Sequence, residues 1–282
     1  MFRIWWRRLK LGLPTFLGWR RLGYFIPYRY AEDLPNLGES PKYEAVNKLM
    51  AAQQKAFKKI LKSSENYQLK LESFNDTKPP MPRWQQGWFP RLDGLVAYVM
   101  VRDLRPKKIV EVGSGHSTRF MAQAILDGGL DTSLTAIDPA PRADIASLNM
   151  VKLINQAVQH ADKAPFDILE AGDILFIDSS HILMPGSDVD LLFNRIIPAL
   201  PSGVYIHIHD ITLPDDYPKC WAWRGYNEQL GVMPMILGGG YELLWASHYV
   251  ACEMKDELDK SFIAKLEIDP KAFETSLWLK KR

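Results

Sequence analysis

Cysteine is nearly absent: Cys220 and Cys252 are the two in 282 residues. That is too few to staple a chain of this length, which excludes a disulfide-framed scaffold and suits a reducing compartment. No apolar run reaches the roughly 18–20 residues of a membrane-spanning helix. Charge of one sign is lacking too, since 35 Lys and Arg against 33 Asp and Glu leave +2, so bulk charge does not drive the chain onto nucleic acid. With 47% hydrophobic residues and neither repeats nor low-complexity segments, a disordered tail or a collagen-like chain is excluded. Residues 11–19 have the apolar look of a signal-peptide core. Pro14 interrupts them, Arg7, Arg8, Lys10, Arg20 and Arg21 flank them, and no small-residue cleavage site follows. The expected location is cytoplasmic.

Acidic residues are missing from the first 30 positions, which instead hold seven Lys and Arg and the nine aromatics Phe2, Trp5, Trp6, Phe16, Trp19, Tyr24, Phe25, Tyr28 and Tyr30. Basic residues interleaved with Trp and Phe suit the headgroup level of an anionic membrane. One reading is therefore peripheral contact of residues 1–30 with the inner membrane surface. The other is that the rings pack on the body or on a second copy as a homodimer surface, while the arginines snorkel. Nucleic acid is not expected as a partner, because the rest of the chain adds no basic stripe. Over 40–70 the apolar positions Tyr43, Val46, Met50, Phe57, Ile60 and Leu61 have helical spacing, and Pro79, Pro80 and Pro82 mark 75–84 as a linker. The expected division is a basic, aromatic head with a helical extension over 1–82 and a body over 83–282.

The body alternates: a helix over 92–104, strands over 109–112, 133–137, 153–158, 174–177 and 204–208, and helices near 117–126, 142–149 and 188–197. This predicts an α/β, Rossmann-like, mostly parallel sheet with helices on both faces. Residues 241–247 and 275–280 add two strands with no clear helix at either join, which fits an antiparallel C-terminal edge. After the first strand comes Glu111-Val-Gly113-Ser114-Gly115-His-Ser117-Thr118, a loop in which glycines let backbone approach a ligand. A dinucleotide fingerprint wants a third glycine where Thr118 stands, which disfavours a nicotinamide cofactor. The second strand ends on Asp138, a carboxylate able to accept from both hydroxyls of a ribose, or else a turn acid. Asp178 and His181 follow one strand while His209 and Asp210 end the next, so a parallel sheet gathers all four at its C-terminal edge. His207 reads either as a site residue or as a satisfied core histidine.

These segments resemble class I S-adenosylmethionine-dependent methyltransferases of the methyltransferase domain family 24 type. The likeness lies in 111–117, Gly172-Asp173-Ile-Leu-Phe-Ile-Asp178-Ser-Ser-His181, His207-Ile-His209-Asp210-Ile211 and Asn227-Glu228-Gln229, and it spans about residues 85–282. It implies that Gly113 and Gly115 approach the methionine part of S-adenosylmethionine, that Asp138 binds its ribose, and that Glu111 organises the loop through hydrogen bonds or the cofactor's amino group. Ser114, Ser117 and Asp178 complete that set, and Gln159 stands where the family often has an acid near the adenine.

The domain is also similar to metal-dependent catechol-type and sugar O-methyltransferases. That likeness implies His181 as general base beside Asp178, with Asp178, His209 and Asp210 as ligands of a divalent metal. His209 replaces an acid there, and imidazole suits Mn, Fe or Zn better than Mg. Without a metal, His181 and His209 would handle the substrate proton between them. The expected activity is O-methylation of a small-molecule or glycan-type hydroxyl. Its alternatives are metal-independent transfer to nitrogen or carbon, or a membrane-associated ligand-binding module without turnover.

Overall fold

The computed structural model describes residues 2–74, 78–141, 145 and 147–282. In chain order the helical lead-in comprises α1 (Phe2–Phe16), α2 (Glu44–Ala52), α3 (Gln54–Ser64) and α4 (Gln68–Glu72). The body follows as α5 (Arg91–Leu104), β1 (Lys108–Val112), α6 (His116–Gly128), β2 (Ser133–Ile137), β3 (Val151–Ile154), α7 (Ala164–Asp167) and β4 (Ile174–Ile177). Next come α8 (Asp188–Leu191), a π-helical stretch Leu192–Ile196, α9 (Ile197–Ala199) and β5 (Tyr205–Ile208). The chain closes with α10 (Glu228–Leu237), β6 (Tyr241–Ala246), α11 (Ser247–Glu253), α12 (Lys255–Asp259) and β7 (Leu277–Lys281).

The seven strands form one sheet in the order β3-β2-β1-β4-β5-β7-β6. The first five are mutually parallel, so their carboxyl ends share an edge, with the reversal of strand order between β1 and β4. β7 runs antiparallel to both β5 and β6, so the C-terminal strand slots inside β6, which takes the edge. Central strands β1, β4 and β5 are buried on both faces, as apolar runs flanked by helices should be.

Three sequence expectations change. β3 ends at Ile154 instead of 158, and its residues are partly or fully exposed, because it is an edge strand. Of the helix expected over 142–149, residues 142–144 and 146 lie outside the described residues, while Leu148 N–H donates to Ile145 O at 3.0 Å in a turn. The joins of β6 are helical, with α10 before it and α11 directly after it. α10 escapes a propensity reading because Gly231 and Pro234 interrupt it. A Cβ on Gly231 would lie 2.8 Å from the Leu183 side chain, so the breaker is a packing requirement.

On either side of residue 82 the packing is continuous. Val46, Met50, Phe57, Leu61 and Leu71 from α2–α4 belong to the same hydrophobic core as the sheet. Phe57 meets Trp245 and Tyr249 edge-on at 5.8 and 5.9 Å. Trp84 is fully buried and its indole N–H donates to Leu71 O at 2.9 Å. α1, in contrast, has no buried residue. No helix among the described residues is long and apolar enough to cross a membrane.

Replacing Phe57 with Ala removes a fully buried ring and is expected to cost about 3–5 kcal/mol of unfolding free energy, read by urea denaturation as one cooperative transition. Separate transitions for extension and body would contradict a shared core.

Candidate active site

The glycine loop is set by backbone crowding. Gly113 has φ +79, and a Cβ there would lie 1.9 Å from the carbonyl oxygen of Asp178, so no side chain fits where the ends of β1 and β4 cross. Gly113 N–H donates to Ile137 O at 3.0 Å and Asp178 N–H to Val112 O at 2.8 Å, extending the ladder past the strand ends. Beneath the loop, Glu111 is fully buried. The Ser117 and Thr118 hydroxyls donate to its two oxygens at 2.6 and 2.7 Å. Thr118 Oγ1 in turn accepts Gly115 N–H at 2.9 Å, which explains a threonine where a dinucleotide loop has glycine. Burial, opposed by those two hydroxyls, pushes the Glu111 carboxyl up to about 8.

A cavity of about 460 Å³ opens above this loop, within the range of small-molecule sites. Gly113, Ser114, Gly115 and Ser117 line one end, with Asp138 and Gln159 beside them. Gln159 reaches it from the loop five residues after β3. Asp178, His181, His209 and Asp210 line the other end. Glu111 is the one residue of the expected set that does not line the cavity; it holds the loop from below. Asp138 Oδ2 accepts Ser114 N–H at 2.7 Å and Ser114 Oγ–H at 2.9 Å, and Oδ1 accepts Ala140 N–H at 2.7 Å. Three of its roughly four acceptor positions are thus taken, one of them by a hydroxyl that can rotate away.

At the other end, two buried imidazoles sit among four carboxylates. His181 Nδ1 is 2.8 Å from Glu228 Oε2, and its Nε2 is 3.3 Å from Asp178 and 3.4 Å from Asp210. His209 Nε2 is 3.3 Å from Asp93, and its Nδ1 is 3.5 Å from Asp178 and 3.7 Å from Asp210. Burial works against charge on His181, yet Asp210, Asp178 and Glu228 outweigh it and hold the ring protonated well above the usual histidine range. His209 behaves alike, with Asp178 and Asp210 overcoming burial. The Asp178 carboxyl, although burial opposes its charge, is held well below the usual range by His209 and His181. His207 is the exception. Burial and the neighbouring His209 charge push it down, and it stacks on Phe176 at 3.6 Å with Nε2 against Ser276 Oγ at 2.8 Å, so it is a core histidine.

The cluster is braced from elements the sequence pattern did not connect to it. Asp93, on α5, accepts Thr275 and Ser276 N–H besides facing His209. Arg224 NH1 lies 3.3 Å from Asp210 and its guanidinium 4.2 Å from the Trp221 ring centroid. Asn227 clamps the His181 loop, its Oδ1 accepting Leu183 N–H at 2.7 Å. Gln229 Oε1 accepts Thr212 N–H at 3.1 Å and Thr212 Oγ1–H at 3.0 Å. The Asn-Glu-Gln segment therefore fixes the loops after both β4 and β5. Those loops carry His181 at φ +63 and Asp210 at φ +54, a left-handed backbone uncommon outside glycine that is retained where surroundings impose it.

Asp178, His209 and Asp210 do not form a group with three donor atoms all within 4.8 Å of one another. Donors about 2.1 Å from one ion cannot be more than about 4.2 Å apart. Among the described residues, the group with three donor atoms mutually within 4.8 Å is Asp215, His248 and Cys252, outside this cavity. Both nitrogens of His209 face carboxylates as donors, and Arg224 already supplies positive charge to Asp210.

Residues 110–211 match the family model of a methyltransferase domain. Over that stretch the chain is similar to methyltransferase domains. Similar solved structures include an SAH-bound methyltransferase from Podospora anserina, 15% identical over 92% of this chain and 99% of that one, with a TM-score of 0.42. Another is an O-methyltransferase from Bacillus cereus in complex with SAH, 12% identical over 84% of this chain and 100% of that one, at 0.41. A third is the plantazolicin methyltransferase with a pentazolic desmethylPZN analog and SAH, 16% identical over 84% and 96%, at 0.44. No curated protein gives a match.

The His181 ring is expected to titrate above the usual value of about 6.5 in an NMR pH series, and Asp210→Asn to move that midpoint down. Because the folded value is raised, the stability it contributes is complete below about pH 6.5 and is lost as pH rises through the folded midpoint. A parent midpoint at or below 6.5 would contradict the carboxylate cage.

Proposed function

We propose that the chain transfers the methyl group of S-adenosylmethionine to a hydroxyl of a small-molecule or glycan-type acceptor, using the buried imidazole–carboxylate cluster to take up the hydroxyl proton. The observation that supports this reading is that one cavity carries the glycine loop with Asp138 at one end and that cluster at the other. The cofactor end suits a nucleoside: Gly113 admits close approach, and Asp138 gains a second open acceptor position when the Ser114 hydroxyl turns away. When bound, S-adenosylmethionine supplies a sulfonium methyl group open to in-line displacement.

The chain's own groups then position the acceptor and manage its proton. Trp221 and Tyr226, which line the cavity, wall a ring or sugar and shed water. Asp178, whose side chain is 31% exposed, is the cluster member most open to the cavity and accepts the acceptor's O–H as a hydrogen bond. Neutral His181 takes that proton from Asp178 at Nε2, 3.3 Å away, while Glu228 accepts the Nδ1–H and fixes the tautomer. Asp178 and Asp210 stabilise the resulting imidazolium. Since they also raise its pKa, the neutral fraction of His181 grows as pH rises above the usual histidine range, and the rate should rise with it. No step needs a metal.

SAH release from S-adenosylmethionine with a panel of hydroxylated acceptors tests this. His181→Ala is expected to lower turnover by about 10²–10⁴-fold with SAH affinity kept, and a chelator is expected to leave the parent rate unchanged. Turnover that survives in the variant would place the base elsewhere, and loss under chelation would restore the metal.

A further inference from the structure

α1 carries a row of exposed apolar side chains. At 100° per residue, Phe2, Trp5, Trp6, Leu9 and Leu13 fall in one stripe. They point away from the body, with Phe2 76% and Trp5 57% exposed. The opposite face, through Ile4, Arg7, Leu11 and Thr15, lines a groove of about 450 Å³ shared with Leu22 and Trp223. The helix thus turns its milder face inward and its aromatic stripe to solvent, the reverse of a surface helix seated on its own core. Arg3 and Lys10 flank the stripe on one side and Arg8 on the other. The next segment adds exposed Trp19, Arg20, Arg21 and Phe25, and no acidic residue occurs before Glu32.

We propose that this stripe is a docking face for an anionic phospholipid bilayer. Aromatic and leucine side chains along one face of a helix rimmed by Arg and Lys match the boundary between headgroups and acyl chains, where rings bury partway and cations meet phosphates. Charge complementarity selects lipid over a second copy, since two such faces would bring Arg3, Arg8 and Lys10 of each copy together with no acid between them. The groove beneath α1 ends on Trp223, where the Arg7 guanidinium lies 5.1 Å from the ring centroid. Arg224, the next residue, contacts Asp210. Docking therefore sets the rim of the catalytic cavity beside the headgroup layer.

The docking goes beyond methyl transfer and does not depend on it. Flotation of the full chain with vesicles of phosphatidylcholine, alone or with about 30% phosphatidylglycerol, tests it, with SAH binding measured in parallel. The chain should bind the anionic vesicles at least about tenfold more strongly than the neutral ones. Leu9→Glu with Leu13→Glu should lose at least about tenfold of that binding, at unchanged SAH affinity. Neither side chain is buried, so the body folds as before. Absent or charge-independent vesicle binding, or full binding by the double variant, would overturn the proposal. So would light scattering that finds the parent a dimer and the double variant a monomer, which would assign the stripe to a second copy. Loss of SAH binding with vesicle binding intact would instead count against the methyltransferase reading alone.

Discussion

Two imidazoles held among four carboxylates at the carboxyl edge of a parallel sheet are the constraint around which the rest is arranged. An isolated charge in that position would be expelled or neutralised. Here each ring nitrogen of His181 and His209 faces an acid, and Arg224 offsets part of the remaining negative charge. The same balance lets one proton enter or leave without stranding a charge, because Asp178 and Asp210 are shared between the two rings. Structure and chemistry therefore make the same demand on these residues: the groups that keep the edge of the sheet folded are those that would hold an acceptor's proton.

Such a cluster works only if its two loops stay fixed, and much of the molecule serves that end. α10 contributes Glu228 to the His181 ring, while Asn227 and Gln229 tie down the loops on either side. α5 contributes Asp93, which pairs with His209 and holds the backbone leading into β7. On the far side of the cavity, the close crossing of Gly113 and Asp178 joins the cofactor loop to the first residue of the cluster, so the two ends share a backbone contact. Glu111 and Thr118 stiffen that loop from below.

The sheet is largely legible because β4 is an apolar run and β1 and β2 are mostly apolar, each of four or five residues close to Gly, Pro or Asp, as buried parallel strands often are. β3 was misplaced because, at the edge, its burial is partial and its pattern mixed. α10 is hidden by Gly231 and Pro234, the first of which is required by packing against Leu183, a reason that propensity does not see. Within the site, residues that follow strands directly were readable: the topology dictates where Gly113, Asp138, Asp178, His181, His209 and Asp210 must lie. Asp93 and Arg224 were not, because their roles depend on contacts more than 100 residues away in one case and on ring stacking in the other. Glu228 was visible as part of a motif, but its task became clear only with His181 beside it.

Calorimetric titration of the full chain with S-adenosylhomocysteine, repeated on Asp138→Ala and Ser114→Ala, bears most directly on the central claim that this cavity is a nucleoside-cofactor site joined to a proton-holding cluster. The expected result is one-to-one micromolar binding, weakened at least about tenfold in Asp138→Ala, a loss of about 1.4 kcal/mol or more, and nearly unchanged in Ser114→Ala. An absence of binding in the parent chain, or equal losses in both variants, would mean that Asp138 only braces the loop and that the cavity serves another ligand.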